Sequence, residues 1–247
     1  MVGLHDRRHR LCSDAGDVLD SHFARSCERR RYSGVTVRRS ILVVDDFYTD
    51  PDAVRAAALR TEFASAGRYN YPGWQSNKAF SADAIRTSFE SLIGEQVIVD
   101  PDRFTWGGFR IITEDTGNLT KVHSDTAVDW AAMVYLTPNC DASAGTGFFR
   151  HCETGFEGPP TDEEARKLGF SDANEYEEKV SRRDMADLDA WEVVSSVSPR
   201  YNRLVLFRGC ELYHAPLKGQ GSRPNEARLT HNFFFNTKPF DRSTVTR

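Results

Sequence analysis

Nothing in this sequence stays apolar for long. Its longest uninterrupted apolar run, WAAMVYL at Trp130–Leu136, falls far short of the ~20 residues a membrane-crossing helix needs, so no membrane partner is expected. Cysteine is sparse: five residues, at positions 12, 27, 140, 152 and 210, odd in number and without a CxxC pair. That excludes a disulfide framework and a structural zinc site, and fits a reducing compartment. Positive charge is in no excess, with 32 Lys+Arg against 36 Asp+Glu and a formal net charge of -4, which argues against a nucleic-acid partner. The opening MVGLHDRRHRLC carries charge but no apolar segment behind it, so no secretory signal is expected and the predicted location is cytoplasmic. Internal repeats, low-complexity tracts and a convincing Ser/His or Cys/His nucleophile pattern are missing as well. What is left is a chain of 247 residues, 39% hydrophobic, with length enough for a sizeable core.

The chain divides by pattern. Residues 1–38 are rich in Arg, His and Asp and have little apolar periodicity; they read as a flexible N-terminal extension, with a basic interaction arm as the alternative. Residues 39–247 read as a single domain. ILVV opens it, and Asp50-Pro51 is an N-cap followed by proline at the first helical position, starting a helix over PDAVRAAALRTEF in which Ala56, Leu59 and Phe63 share a face. YNYPGWQ follows as an aromatic turn, then a second helix over SADAIRTSFESLIG, with a Ser cap and a closing Gly. From there the sequence turns to short strands: QVIVD, GGFRIIT, the run after His123, GTGFFRH, WEVVSSV, RLVLFRG, ELYHAP and RLTHNFFFN. Helices first and then many short strands predict an all-β barrel or sandwich with the helices packed outside. A polar helical insert interrupts the strands at about 153–190; its helix openings are Thr161-Asp162 and Ser171-Asp172, and it reads equally as a solvated excursion or as a lid.

Chemistry concentrates in the strand region. In VHSDTAVDWAAMVYL, His123 and Asp125 are two residues apart, and in an extended chain they project from one face, an imidazole and a carboxylate aimed at one spot. His214, just before Ala-Pro at a strand end, is either a third ligand or an ordinary strand-end histidine. Two imidazoles and a carboxylate on one face of a metal leave adjacent positions open, which suits ferrous iron; a three-ligand zinc site would suit hydrolysis instead. In EARLTHNFFFN, alternation puts Arg228, Thr230, Asn232 and Phe234 on one face and Leu229, His231, Phe233 and Phe235 on the other, so His231 reads as packing. Arg228 then points inward, where it needs an anion: a protein carboxylate, or the carboxylate of a bound dicarboxylate.

Taken as an ordered set, His123-x-Asp125, His214 and Arg228-x-Thr230 resemble the Fe(II)/2-oxoglutarate-dependent dioxygenase superfamily, over roughly residues 100–236. The resemblance is closest to the prolyl-hydroxylase-like branch; GTGFFRH looks like its Gly-rich strand, and VVDDFYTDP and YPGW look similar to a poorly characterised bacterial group within it. It implies a double-stranded β-helix, a cupin-like jelly-roll barrel. It also implies iron on His123, Asp125 and His214, and 2-oxoglutarate with its distal carboxylate on Arg228, Thr230 assisting. O2 would be the oxidant and an unactivated C–H bond of a small molecule, such as an amino acid or a peptide-like metabolite, the target of hydroxylation. One departure qualifies the pattern: a co-substrate tyrosine usual before the His-x-Asp segment has no counterpart in RIITEDTGNLT, where Thr113 stands near its place; Asp125 keeps to the pattern, since the related halogenases have a small residue there, and halogenation is not expected.

Substrate contacts at the mouth are assigned to Tyr71 and Trp74 with their neighbour Tyr69, and to Arg110, Trp130 and Arg150; for each aromatic, packing is the competing account. No catalytic group beyond the metal ligands is expected. The competing functions are a metal-dependent barrel enzyme without 2-oxoglutarate, such as a zinc hydrolase or isomerase, and a non-catalytic small-molecule binding domain.

Overall fold

The structure is a computed structural model and describes residues 40–66 and 72–239. The expected N-terminal extension, and Tyr69 and Tyr71, lie outside the described residues. The strands, in chain order, are β1 (Ile41–Val44), β2 (Phe63–Ser65), β3 (Trp74–Ala79), β4 (Gln96–Ile98), β5 (Trp106–Ile112), β6 (Trp130–Tyr135), β7 (Thr146–His151), β8 (Trp191–Val197), β9 (Leu204–Phe207), β10 (His214–Pro216) and β11 (Arg228–Lys238). They make two antiparallel sheets. The larger runs β1-β9-β6-β11-β5-β3-β2, with β4 added at the far end of β11, and the smaller runs β10-β7-β8.

The chain is mainly β, as its short-strand pattern predicts, but the sheets do not close into a barrel. Among the described residues, only an isolated bridge between His123 and His214 extends the small sheet beyond β10. The physical reason lies between β5 and β6: residues 113–129 form a helical turn and then bends, so they cannot run a ladder alongside β10. The small sheet is held against the large one by side chains instead. Ala131 and Tyr135 of β6, Val205 and Phe207 of β9 and Phe148 of β7 form a common buried cluster.

Strand alternation sets up both faces of the large sheet. On β11, Leu229, Phe233 and Phe235 join the core beneath two helices, while Arg228, Thr230, Asn232 and Phe234 face the small sheet. The helices are α1 (Pro51–Leu59) and α2 (Asp83–Ile93). Phe89 of α2 is fully buried, stacked on Phe235 at 5.5 Å and edge-on to Phe233 and Trp106, a burial that stabilises by about 2–3 kcal/mol.

Local details differ from the sequence reading. Asp50 does cap α1, accepting the Ala53 N–H at 2.9 Å, but the helix stops at Leu59, because the Thr61 hydroxyl takes the Ala57 carbonyl and Phe63 enters β2. The cap of α2 is Ala82, without a side-chain bond, rather than a serine; its end is Gly94 at φ 76°, as expected. The strands β2 and β3 were not anticipated. Their entry requires Gly73, at φ 89°, where a Cβ would stand 2.0 Å from the Ile111 carbonyl oxygen.

Candidate metal centre

The His-x-Asp segment lies between β5 and β6, and β10 brings His214 to it. The His123 N–H donates to the His214 carbonyl at 3.1 Å and the His214 N–H to the His123 carbonyl at 2.8 Å, so the two ligand-bearing segments are stitched backbone to backbone. Asp125 is fixed in turn by its N–H to the Gly209 carbonyl at 2.9 Å. Ligand atoms of His123, Asp125 and His214 all fall within 4.8 Å of one another. Nε2 of His123 is 3.9 Å from one Asp125 carboxylate oxygen, and Nε2 of His214 is 3.5 Å from the other.

Each imidazole is held in the same tautomer. The Nδ1–H of His123 donates to the Lys121 carbonyl and that of His214 to the Leu212 carbonyl, both at 2.9 Å, which leaves the Nε2 lone pairs for the shared space. Burial first, and then repulsion from His214, lowers the His123 pKa to about 4, against the attraction of Asp125, so this imidazole is neutral at pH 7. Two imidazole nitrogens and one carboxylate, largely shielded from solvent and held by backbone hydrogen bonds, fit a divalent cation.

Behind the ligands stands the polar insert. The Met185 carbonyl accepts the N–H of Val122, next to His123, and the Ser181 hydroxyl meets that of Tyr213, next to His214, at 3.0 Å. His151 of β7 is bonded at both nitrogens, to Thr154 and to Asp184 of the insert at 3.0 Å each, which fastens the insert to β7 and engages both ring nitrogens of the second His/Glu/Asp cluster, His151, Glu153 and Asp184. No residue of 158–190 lines either cavity at the site, and the two contacts just named attach the insert to the segments that carry His123 and His214.

Two cavities meet at the triad. The inner one is a narrow chamber of about 40 Å³ between the sheets; His123 and His214 line it together with Arg228, Thr230, Thr146 and Asn232. Arg228 is 2% exposed; its Nε–H donates to the Ala144 carbonyl at 2.8 Å and its Nη2 to the Thr146 hydroxyl at 3.3 Å, and its guanidinium lies 5.1 Å from the centre of the Tyr135 ring. Among the described residues, no carboxylate forms an ion pair with it. Thr230, 1% exposed, has a buried hydroxyl with no hydrogen-bond partner, facing the same chamber. The outer cavity is a cleft of about 650 Å³ that reaches Asp125 and shares Arg110 and Phe234 with the inner chamber.

The remaining sequence candidates separate sharply. Arg110 faces both cavities. Trp130 is buried on the helix side of β6, with the Arg208 guanidinium 4.8 Å from its ring centre, because alternation gives the chamber side to Ala131 and Met133. Trp74 packs into the same helix-side core, opposite Ile111. Arg150 lies beyond a register shift in β7 and is bound at the surface by Glu157 at 2.8 Å and Glu192 at 3.2 Å. Thr113 is occupied as the cap of the short helix Glu114–Gly117. Sequence reasoning passed over Ser124, Gln75, Thr146 and Tyr135. Of these, Ser124 was legible in principle, since the residue between two same-face ligands must point the other way, into a neighbouring space.

Residues 29–235 match the family model described as "Family of unknown function (DUF6445)". Comparison with curated proteins gives no match. Among solved structures, the chain is similar to a prolyl hydroxylase from Trichoplax adhaerens in complex with a hypoxia-inducible-factor peptide fragment, at 12% identity and a TM-score of 0.45, over 84% of this chain and 88% of that one. It is also similar to HygX from Streptomyces hygroscopicus with nickel, 2-oxoglutarate and hygromycin B bound, at 13% identity and a TM-score of 0.39, over 78% of this chain and 82% of that one. A Pseudomonas putida prolyl-4-hydroxylase shows 15% identity and a TM-score of 0.37, over 81% of this chain and 93% of that one.

Proposed function

The chain belongs to the DUF6445 family, whose function is unknown, and from its site we propose that it is an Fe(II)- and 2-oxoglutarate-dependent oxygenase that hydroxylates a C–H bond of a small molecule. One observation carries this reading: His123 and His214 of the triad and a buried guanidinium that has no ion-paired carboxylate among the described residues line one chamber, with Asp125 beside them at the adjoining cleft. A cation taken out of water without an anion costs several kcal/mol, and it is retained where a ligand supplies the charge. A ligand that is a metal chelator at one end and a carboxylate at the other satisfies both ends of the chamber, and 2-oxoglutarate has that form.

His123, Asp125 and His214 would hold the iron, which when bound with 2-oxoglutarate and O2 supplies the oxidising chemistry. The chain's own part is orientation. Arg228 would take the distal carboxylate in its planar fork, with Thr230 donating its unused hydroxyl, and the Tyr135 ring and Thr146 hydroxyl keep the guanidinium in place. The carbonyls of Lys121 and Leu212 hold the two imidazoles in the ligating tautomer. Phe234 and Arg110 divide the chamber from the outer cleft and keep bulk water from the oxidising centre while the cleft presents the substrate.

The test is an anaerobic titration of metal-free protein with Fe(II) and 2-oxoglutarate, read as a visible charge-transfer band. The band should need both components and vanish in His214→Ala. Arg228→Ala should keep the metal but lower the 2-oxoglutarate affinity by about two to four decades, and Arg228→Lys should restore it only in part. Binding of 2-oxoglutarate that is indifferent to residue 228 sinks the assignment and leaves a metal enzyme of another kind.

A further inference from the structure

We propose that the outer cleft takes a small carboxylate-bearing substrate of amino-acid-like size, anchored by its carboxylate on Arg110 at the boundary with the inner chamber. The proposal rests on the oxygenase reading and assigns the substrate side of that site.

Three observations carry it. First, position: Arg110 lies on β5 opposite Thr230 of β11 and Gln75 of β3, and its side chain forms wall in both the cleft and the inner chamber. A group bound to it from the cleft side therefore lies next to the ligand triad, with the rest of the molecule held in the cleft.

Second, the guanidinium is oriented by a built relay. Its Nη2 donates to the Gln75 side-chain carbonyl at 3.2 Å, and the Gln75 amide donates in turn to the Thr105 hydroxyl at 2.9 Å. This relay needs a bare Cα at Gly108, where a Cβ would stand 2.8 Å from the Gln75 amide nitrogen and 2.6 Å from the Thr105 methyl. An arginine held in this way keeps its planar guanidinium in one orientation, and a planar guanidinium matches a carboxylate better than it matches a neutral amide.

Third, Ser124 points into the same cleft. It is 8% exposed, and its hydroxyl is buried with no hydrogen-bond partner, although it sits between two of the proposed metal ligands. A polar group there is retained where a ligand completes it. The cleft, at about 650 Å³, suits a small molecule with a second polar group placed to meet Ser124.

The experiment is equilibrium dialysis of wild-type, Arg110→Gln, Arg110→Lys and Arg228→Gln protein against a panel of N-acetyl amino acids and the corresponding carboxamides. It is run metal-free, and again with Fe(II) and 2-oxoglutarate under nitrogen. Without Fe(II) and 2-oxoglutarate, at least one acid should bind wild type, keep measurable binding to Arg228→Gln, and bind Arg110→Gln at least tenfold more weakly, with Arg110→Lys in between. The matching carboxamide should bind weakly and show no dependence on residue 110. Circular dichroism confirms that each variant is folded; the Lys variant retains the charge if Gln disturbs the strand. If no acid binds, or if a bound acid ignores residue 110, the assignment falls. An acid lost in Arg228→Gln but kept in Arg110→Gln would place carboxylate binding in the inner chamber and overturn it equally. Failure of the oxygenase reading shows separately, as an absent charge-transfer band in a protein that still binds the acid through Arg110.

Discussion

A single methyl group at position 209 should cripple the proposed metal centre without replacing any of its proposed ligands. Gly209 lies in the turn after β9, where its carbonyl accepts the Asp125 N–H at 2.9 Å and its bare Cα faces the carboxylate. A Cβ built there would stand 2.2 Å from one Asp125 carboxylate oxygen and 3.0 Å from both the Cβ and the Cγ of that residue. Ordinary carbon–oxygen contact is ~1 Å longer, so the carboxylate must swing away or the turn must back off. Either movement is several times the ~0.2 Å within which metal–ligand distances are held. Supporting groups that orient ligands typically contribute 10–100-fold in metal affinity, and Gly209→Ala should cost at least the upper end of that range, about 3 kcal/mol. Competition against a chelating dye with Co(II) or Fe(II) measures the loss, and thermal melting of the metal-free variant checks that the fold survives. An unchanged metal affinity in a folded Gly209→Ala protein refutes the reasoning, since it would mean that the Asp125 carboxylate is not held where a metal needs it.

Other consequences are as direct. His231 donates its Nε2–H to the Phe80 carbonyl and accepts from the Tyr48 hydroxyl, both at 2.8 Å, and burial lowers its pKa to about 4. A histidine neutral in the fold and charged in the unfolded chain below the ordinary ~6.5 gives stability that is whole above that pH and is lost as pH falls toward 4. The loss is about 3 kcal/mol, so urea midpoints of His231→Asn should fall less steeply than wild type between pH 6.5 and 4; His123 acts in the same window in both proteins and cancels from the difference. Phe89→Ala should cost about 3–5 kcal/mol by chemical denaturation, because the helix-side aromatic cluster cannot collapse around the void. Ser181→Ala, which breaks the bond from the insert to Tyr213, should cost about 1 kcal/mol and weaken metal binding slightly; a change in substrate access with metal affinity intact would show that the insert acts at the cleft after all.

What the sequence disclosed follows the range over which its physics acts. Period-two alternation is local, so the two faces of β11 could be separated from RLTHNFFF alone, Arg228 inward and His231 outward. Capping is local too: Asp50, Thr161 and Asp172 all accept the N–H bonds their positions imply. The sheets were another matter. Whether eleven short strands close into a barrel depends on a run of turns between β5 and β6 whose backbone cannot pair, and no composition rule marks that run as unable to extend a ladder. Aromatic residues stay ambiguous between packing and substrate contact in the same way, since Trp130 and Trp74 carry no sign of which face they occupy until the neighbouring strands fix the register. Charged residues kept more of their meaning. Arg150 and Arg228 are alike in sequence, each on a strand and preceded by an apolar residue, yet one finds two glutamates at the surface and the other finds hydroxyls, a carbonyl, a sulfur and a ring inside. An arginine that has found its carboxylate within the chain is accounted for by the fold. Arg228 has no ion-paired carboxylate among the described residues, and that is the observation that supports a ligand anion in the proposed site.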